Sequence, residues 1–153
     1  MNNNKLWVFQ SKRTITVKEE EEILEKIHYF LKSWAAHGAE LKSEINILDH
    51  KFLIISVDEA QTKASGCSID SLNQCIREID AQYHLELLNR LWISYKENNK
   101  DIETIALKDF KEKVKAGLLS PDTWVYNLSV SSSEEFNEKF KQPLYKSWAK
   151  IYL

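Results

Sequence analysis

The sequence predicts an α+β fold built on a ferredoxin-like split βαβ core, β-α-β-β-α-β, with a C-terminal α/β extension covering the sheet. Three observations carry that expectation. Short apolar runs alternate with two long amphipathic helical stretches in the order that fold requires, and the two middle runs are close enough to form a hairpin. The chain of 153 residues is 43% hydrophobic and 29% charged, which suits one soluble domain, 1–153.

Leu6 to Gln10, LWVFQ, is a compact apolar stretch bounded by SKR and reads as the first strand. Thr16 and Glu19 have capping-box spacing, and Ile23, Ile27, Phe30, Leu31 and Trp34 then recur at helical intervals up to Gly38, where a left-handed stop is expected. The acidic block Glu19 to Glu22 falls in the first turns of that helix, where the macrodipole favours negative charge. Glu44 to Leu48 alternates and reads as an edge strand; Phe52 to Val57 is almost continuously apolar and reads as a central one. From Ser68 as N-cap a second helix carries Ile69, Leu72, Ile76, Ile79 and Tyr83 on one stripe, and Leu91 to Tyr95 would complete the sheet as its fourth strand.

Beyond it, Ile102 to Leu107 can pair back across ENNKD, Phe110, Val114 and Leu118 mark a short helix ending near Gly117, and Trp124 to Val130 alternates. Ser132 with Glu135 caps a helix holding Phe136 and Phe140, and Pro143 opens a last helical segment. The first and third strands show little polar alternation, so the second sheet face needs a cover. Residues 107–153 or a second copy of the chain, as a homodimer, would supply it.

Composition removes several functions. Lys plus Arg total 21 against 23 Asp plus Glu, so no strong field favours nucleic acid or an anionic membrane. Lysines and aromatics mix near the C-terminus (Lys139, Phe140, Lys141, Tyr145, Lys146, Trp148, Lys150), as in single-strand binders, but Glu134, Glu135 and Glu138 lie beside them. Nucleic acid is therefore disfavoured. No stretch near Met1 reads as a signal peptide and no run is long enough to span a bilayer, so a cytoplasmic location is expected. Gly38, Gly66 and Gly117 are too far apart for a phosphate loop or a dinucleotide fingerprint. HExxH, GxSxG and a complete deaminase zinc motif are absent as well, so neither metal nor cofactor is expected.

The segment Ala64 to Asp70, ASGCSID, is the most informative one. Small residues and a glycine lead into a helix N-terminus whose amides can hold an anion through Ser65, Gly66, Ser68 and Asp70. Cys67 stands next to the expected cap. In a split βαβ topology the end of the first helix, the end of the third strand and the start of the second helix share one pole, which would gather His37, Asp58 and Cys67. These are the components of a cysteine nucleophile, its base and an orienting acid. The expected role is nonetheless noncatalytic, the binding of a small anion or a protein partner near the Cys67 loop. A cysteine-dependent hydrolase or acyl transferase is the alternative, and a structural subunit of an oligomer is the third.

SWAAHG at Ser33 to Gly38, FLIISVDE at Phe52 to Glu59, ASGCSID and the late Ser147–Trp148 pair also resemble, over most of the chain, a family of short bacterial proteins of unknown function often labelled ABC transporter ATPase. The label implies nucleotide hydrolysis. The phosphate loop that such an ATPase requires is missing here, so the resemblance brings no catalytic residues with it.

Overall fold

A computed structural model describes residues 4–60 and 62–153. It is a mixed α and β structure with antiparallel sheets, and it divides into two compact units. Among the described residues, the first unit comprises 4–60, 62–88 and 131–134, and the second comprises 89–130 and 135–153.

In the first unit, β1 (Lys5–Gln10), β4 (Lys42–Leu48) and β5 (Phe52–Asp58) form an antiparallel sheet in the order β1-β5-β4. The most apolar run is central, with Val8 opposite Ile54 on one side and Ile45 opposite Ile55 on the other. The alternating run is the edge, as its pattern predicts. Helices α1 (Val17–Ser33) and α2 (Gly66–Tyr83) bury Ile23, Ile27 and Leu31, and Leu72, Ile76 and Ile79, in one cluster with Phe9, Ile45 and Ile55. The other face of the sheet is buried along β1 and β5, at Leu6, Val8, Phe52 and Ile54, and exposed on β4 at Glu44 and Asn46.

The start of α1 is fixed as its spacing predicts. Thr16 Oγ1 accepts from the Glu19 amide at 3.1 Å, and Glu19 accepts from the Thr16 amide at 3.0 Å. Arg13 clamps the same carboxylate through two nitrogens, at 2.8 and 2.7 Å. That clamp, joined by the Thr16 amide, lowers the Glu19 pKa to about 2.

Two boundaries depart from expectation. Helix α1 stops at Ser33 rather than at Gly38, because Trp34 turns extended (φ −71°, ψ 122°) and sinks into the core at 3% exposure. Strands β2 (Ala35–Ala36) and β3 (Ala39–Glu40) then pair across His37 and Gly38, whose φ values of 53° and 76° are both left-handed. A two-residue hairpin loop with positive φ at both positions has the twist that suits antiparallel strands. His37 is accordingly a turn residue, not the end of a helix.

The larger correction concerns the fourth strand. The run expected from Leu91 to Tyr95 is β6 (Trp92–Lys96), and it lies in a different sheet. Its hairpin partner β7 (Glu103–Ala106) follows directly, and Tyr95 fills a cluster with Phe110, Val114 and Val125. Local pairing across a short polar loop costs less closure entropy than a return to β1. The place beside β1 is taken by a single bridge from Lys5 to Ser132, flanked by amide bonds from Leu6 to Ser131 O and from Ser133 to Asn4 O.

The second unit is a four-stranded antiparallel sheet, β7-β6-β8-β9, with β8 at Trp124–Tyr126 and β9 at Lys141–Pro143. Helix α3 (Leu107–Lys115) inserts Phe110 and Val114 into the cluster of this unit and ends before Gly117, at φ 70°. Helix α4 (Ser133–Lys139) precedes β9; Phe136 and Phe140 stack with ring centroids 4.5 Å apart. The segment expected to be one helix after Pro143 is two 3₁₀ helices, Leu144–Lys146 and Trp148–Tyr152, with Ser147 capping the second. Among the described residues, no helix is long and apolar enough to cross a membrane.

Candidate functional site

The candidate site is the pole of the first unit where α1 ends and α2 begins. Helix α2 is capped one turn earlier than the sequence suggests, by Ser65 rather than Ser68. Ser65 Oγ accepts from the Ser68 amide at 3.2 Å, and Ser68 Oγ accepts from the Ser65 amide at 2.7 Å while donating to the Ser65 carbonyl at 2.8 Å. This is a capping box with a serine where glutamate usually stands. Ser68 is buried, so its hydroxyl is wholly given to the cap.

The earlier start moves the other candidates. Cys67 is not the residue before a cap; it is the second residue of the helix and is exposed. Gly66 is exposed too, with open space where a side chain would project. The amides of Gly66 and Cys67 lie in the first turn, where helical geometry supplies no partner. They make no hydrogen bond with a described residue. Asp70 is exposed but lies beyond the first turn, and therefore does not act on the cap.

Bonds and contacts tie the end of α1 and the β2–β3 hairpin to the start of α2. The Trp34 indole N–H donates to the Ser68 carbonyl at 2.8 Å, tying the residue that ends α1 to the first turn of α2. Trp7 and Phe30 hold the same indole, with centroids at 5.7 and 5.6 Å. The hairpin tip at His37 follows three residues after Trp34, and β2 packs against α2. Asp58 ends β5 opposite Lys42, and its Oδ1 accepts from the Ala60 amide at 3.0 Å, closing the turn that leads toward α2. Glu59 braces the same loop by accepting from the Ala64 amide at 2.7 Å.

No hydrogen bond among the described residues joins the three members of the nucleophilic reading. The His37 ring is hydrogen-bonded to neither Cys67 nor Asp58, and the Cys67 thiol has no hydrogen-bond partner among the described residues. A base must reach the proton that it removes within about 3 Å, directly or through one water.

Residue patterns did not disclose a second feature of this unit, an open groove of about 1330 Å³ between the outer faces of α1 and α2. Cys75 lies on its floor, half-buried, and burial followed by the nearby charge of Glu78 pushes its thiol up to about 11. The signal was present in the polar positions of both helices, which helical periodicity assigns to solvent without saying that they face each other. Among the described residues, no group of three or more His, Cys, Asp or Glu side chains could hold a metal ion.

Comparison with known proteins yields no matching family model, curated protein or solved structure.

Proposed function

We propose that this is a noncatalytic binding protein whose working end is the α2 N-terminus, where it receives an anionic group carried by a small ligand or by a protein partner. The observation that carries the reading is the open first turn of an 18-residue helix, with the Gly66 and Cys67 amides exposed after the capping box has used its own donors. Aligned peptide dipoles give such a terminus about half a positive charge. The Trp34 bond to Ser68 supports a rigid presentation of that turn beside the His37 hairpin. Two free thiols, one of them exposed, suit a reducing compartment such as the cytoplasm.

The order β1-β5-β4 with its two helices supports kinship with a split βαβ unit whose fourth strand is reduced to the bridge at Ser132. In that arrangement the loops at one pole are free to vary without disturbing the sheet.

Two measurements test the reading. In a titration with inorganic phosphate at constant ionic strength, the Gly66 and Cys67 amide resonances should shift and saturate. A response indistinguishable from that to chloride would refute an anion site. In a Cys75→Ser background, the alkylation rate of Cys67 at neutral pH should be unchanged by His37→Ala or Asp58→Asn. A fall of about tenfold or more in either variant would instead establish an activated nucleophile and favour the Cys67, His37 and Asp58 enzyme.

A further inference from the structure

The groove between α1 and α2 has a polarity of its own. The helices run antiparallel, since the Tyr83 hydroxyl donates to Glu22 at 2.8 Å at one end while Trp34 reaches Ser68 at the other. Glu21 and Glu25 of α1 and Glu78 of α2 therefore lie in the half of the groove where α1 starts and α2 finishes. Other glutamates of α1 are occupied: Glu19 by Arg13, Glu20 by His50 at 2.6 Å, and Glu22 by Tyr83. Glu21 and Glu25 form no ion pair with a described residue, and both are exposed. Lys26 is the one lysine or arginine lining that half among the described residues.

One further observation bears on the negative potential. The thiol of Cys75, raised chiefly by burial, is raised further by the charge of Glu78, which stands close to the floor. At the α2 C-terminus the Tyr83 carbonyl accepts from Arg13 at 2.7 Å, so the negative character of this half rests on the three carboxylates themselves. The floor itself is apolar, at Leu24, Cys75 and Ile79, and Tyr29 stands at the rim with 79% of its surface exposed.

From this combination we infer that the groove docks a basic amphipathic helix of a protein partner. Its lysines or arginines would lie among Glu21, Glu25 and Glu78, and its apolar side would rest on Leu24, Cys75 and Tyr29. Between Glu21 and Ser33 the groove follows α1 for about 18 Å, the length of about twelve helical residues. A helix laid between two helices is held by its side-chain ridges, and unpaired charges on the rim set the sign of the partner. An anionic peptide of the same shape is rejected by the same three carboxylates. This inference stands apart from the anion reading of the α2 N-terminus, since its three carboxylates lie toward the end of the groove where α2 finishes.

The test uses the full chain with Cys67→Ser, so that Cys75, on the groove floor, is the sole thiol. The probe is a fluorescent peptide of about twelve residues with leucine and lysine at helical spacing, and its control has glutamate in place of lysine. The lysine peptide should bind saturably by anisotropy and slow maleimide labelling of Cys75 at least about tenfold, while the glutamate peptide does neither. In E21Q/E25Q/E78Q its Kd should rise about tenfold, as expected for the loss of three rim charges. D101N/E103Q/E112Q, in the second unit, should leave Kd unchanged. Glutamine keeps helix propensity, and circular dichroism will confirm that each variant is folded. Equal affinity in the two triple variants, or labelling of Cys75 unaffected by bound peptide, overturns the proposal. So does sedimentation showing a dimer that excludes the peptide and that E21Q/E25Q/E78Q dissociates, for then a second copy of this chain fills the groove.

Discussion

Trp34→Phe is the substitution that most directly probes how the pole is built. It removes one buried hydrogen bond, from Nε1 to the Ser68 carbonyl at 2.8 Å, and part of a ring that is 3% exposed. The bond contributes about 1 kcal/mol net. The missing ring atoms leave a void against Trp7 and Phe30, costing about a further 1–2 kcal/mol. The sum, about 2–3 kcal/mol, divided by a urea m-value of about 2 kcal/mol/M, lowers the unfolding midpoint by about 1–1.5 M. Trp7→Phe is the control, since its ring is only partly buried and makes no such bond; it should cost less than about 1 kcal/mol. Amide exchange supplies a local readout. Trp34→Phe should accelerate exchange at Ile69 to Leu72, in the first turns of α2, beyond what the fall in global stability accounts for. If both tryptophan variants unfold at the same urea concentration, the Trp34 tether contributes nothing and the rigidity of the Cys67 turn needs another source.

Further predictions follow from single residues. The Glu19 carboxylate, held down to about 2 chiefly by Arg13, stabilises the fold above the ordinary carboxylate range, and this contribution is lost as pH falls through about 2; Glu19→Gln should flatten the decline of the urea midpoint between about pH 4.5 and 2. Ser65→Ala removes the cap of α2 and should cost about 1 kcal/mol in equilibrium unfolding, whereas Asp70→Ala, beyond the first turn, should leave stability within about 0.5 kcal/mol. His84 ends α2 in a left-handed conformation at φ 56°, so His84→Gly should raise stability by up to about 1 kcal/mol. Gly38→Ala, at φ 76° with no clash in its way, should lower stability by about 1 kcal/mol through backbone strain alone.

The elements of the first unit were legible because local pattern and burial agree there. Thr16 with Glu19 marks the start of α1, the continuous apolar run Phe52 to Val57 marks the central strand, and the alternation around Ile45 marks the edge. What the pattern could not settle was partnership. A strand such as Trp92–Lys96 carries the same apolar residues whether it returns to β1 or pairs with Glu103–Ala106. Side-chain alternation fixes which face is buried, not which neighbour supplies the hydrogen bonds. The end of α1 was misplaced for a related reason. Gly38 is a left-handed residue, as expected, but the same φ serves a helix stop and a hairpin loop, and Trp34 chooses the hairpin by burying its ring and bonding Ser68.

At the site, the difference between Ser65 and Ser68 as N-cap decides the chemistry available to Cys67. Both serines precede an apolar stripe, and the usual sequence cue, an acid or amide three residues after the cap, is absent for Ser65 and replaced by Ser68 itself. With Ser68 as cap, Cys67 would lie outside the helix, its thiol aimed past the free amides. With Ser65 as cap, Cys67 is within the first turn and its own amide is one of the two left open, beside that of Gly66. An anion seated on these two amides therefore meets the Cys67 backbone, and Cys67→Ala should leave its affinity unchanged within about twofold. Replacing Gly66 by proline removes one of the two donors at a position where proline is compatible with the helix, and should weaken phosphate at least about fivefold in the same titration. If Cys67→Ala abolishes the phosphate response while Gly66→Pro leaves it intact, the thiol rather than the open amides is what the ligand recognises, and the backbone account of the site fails.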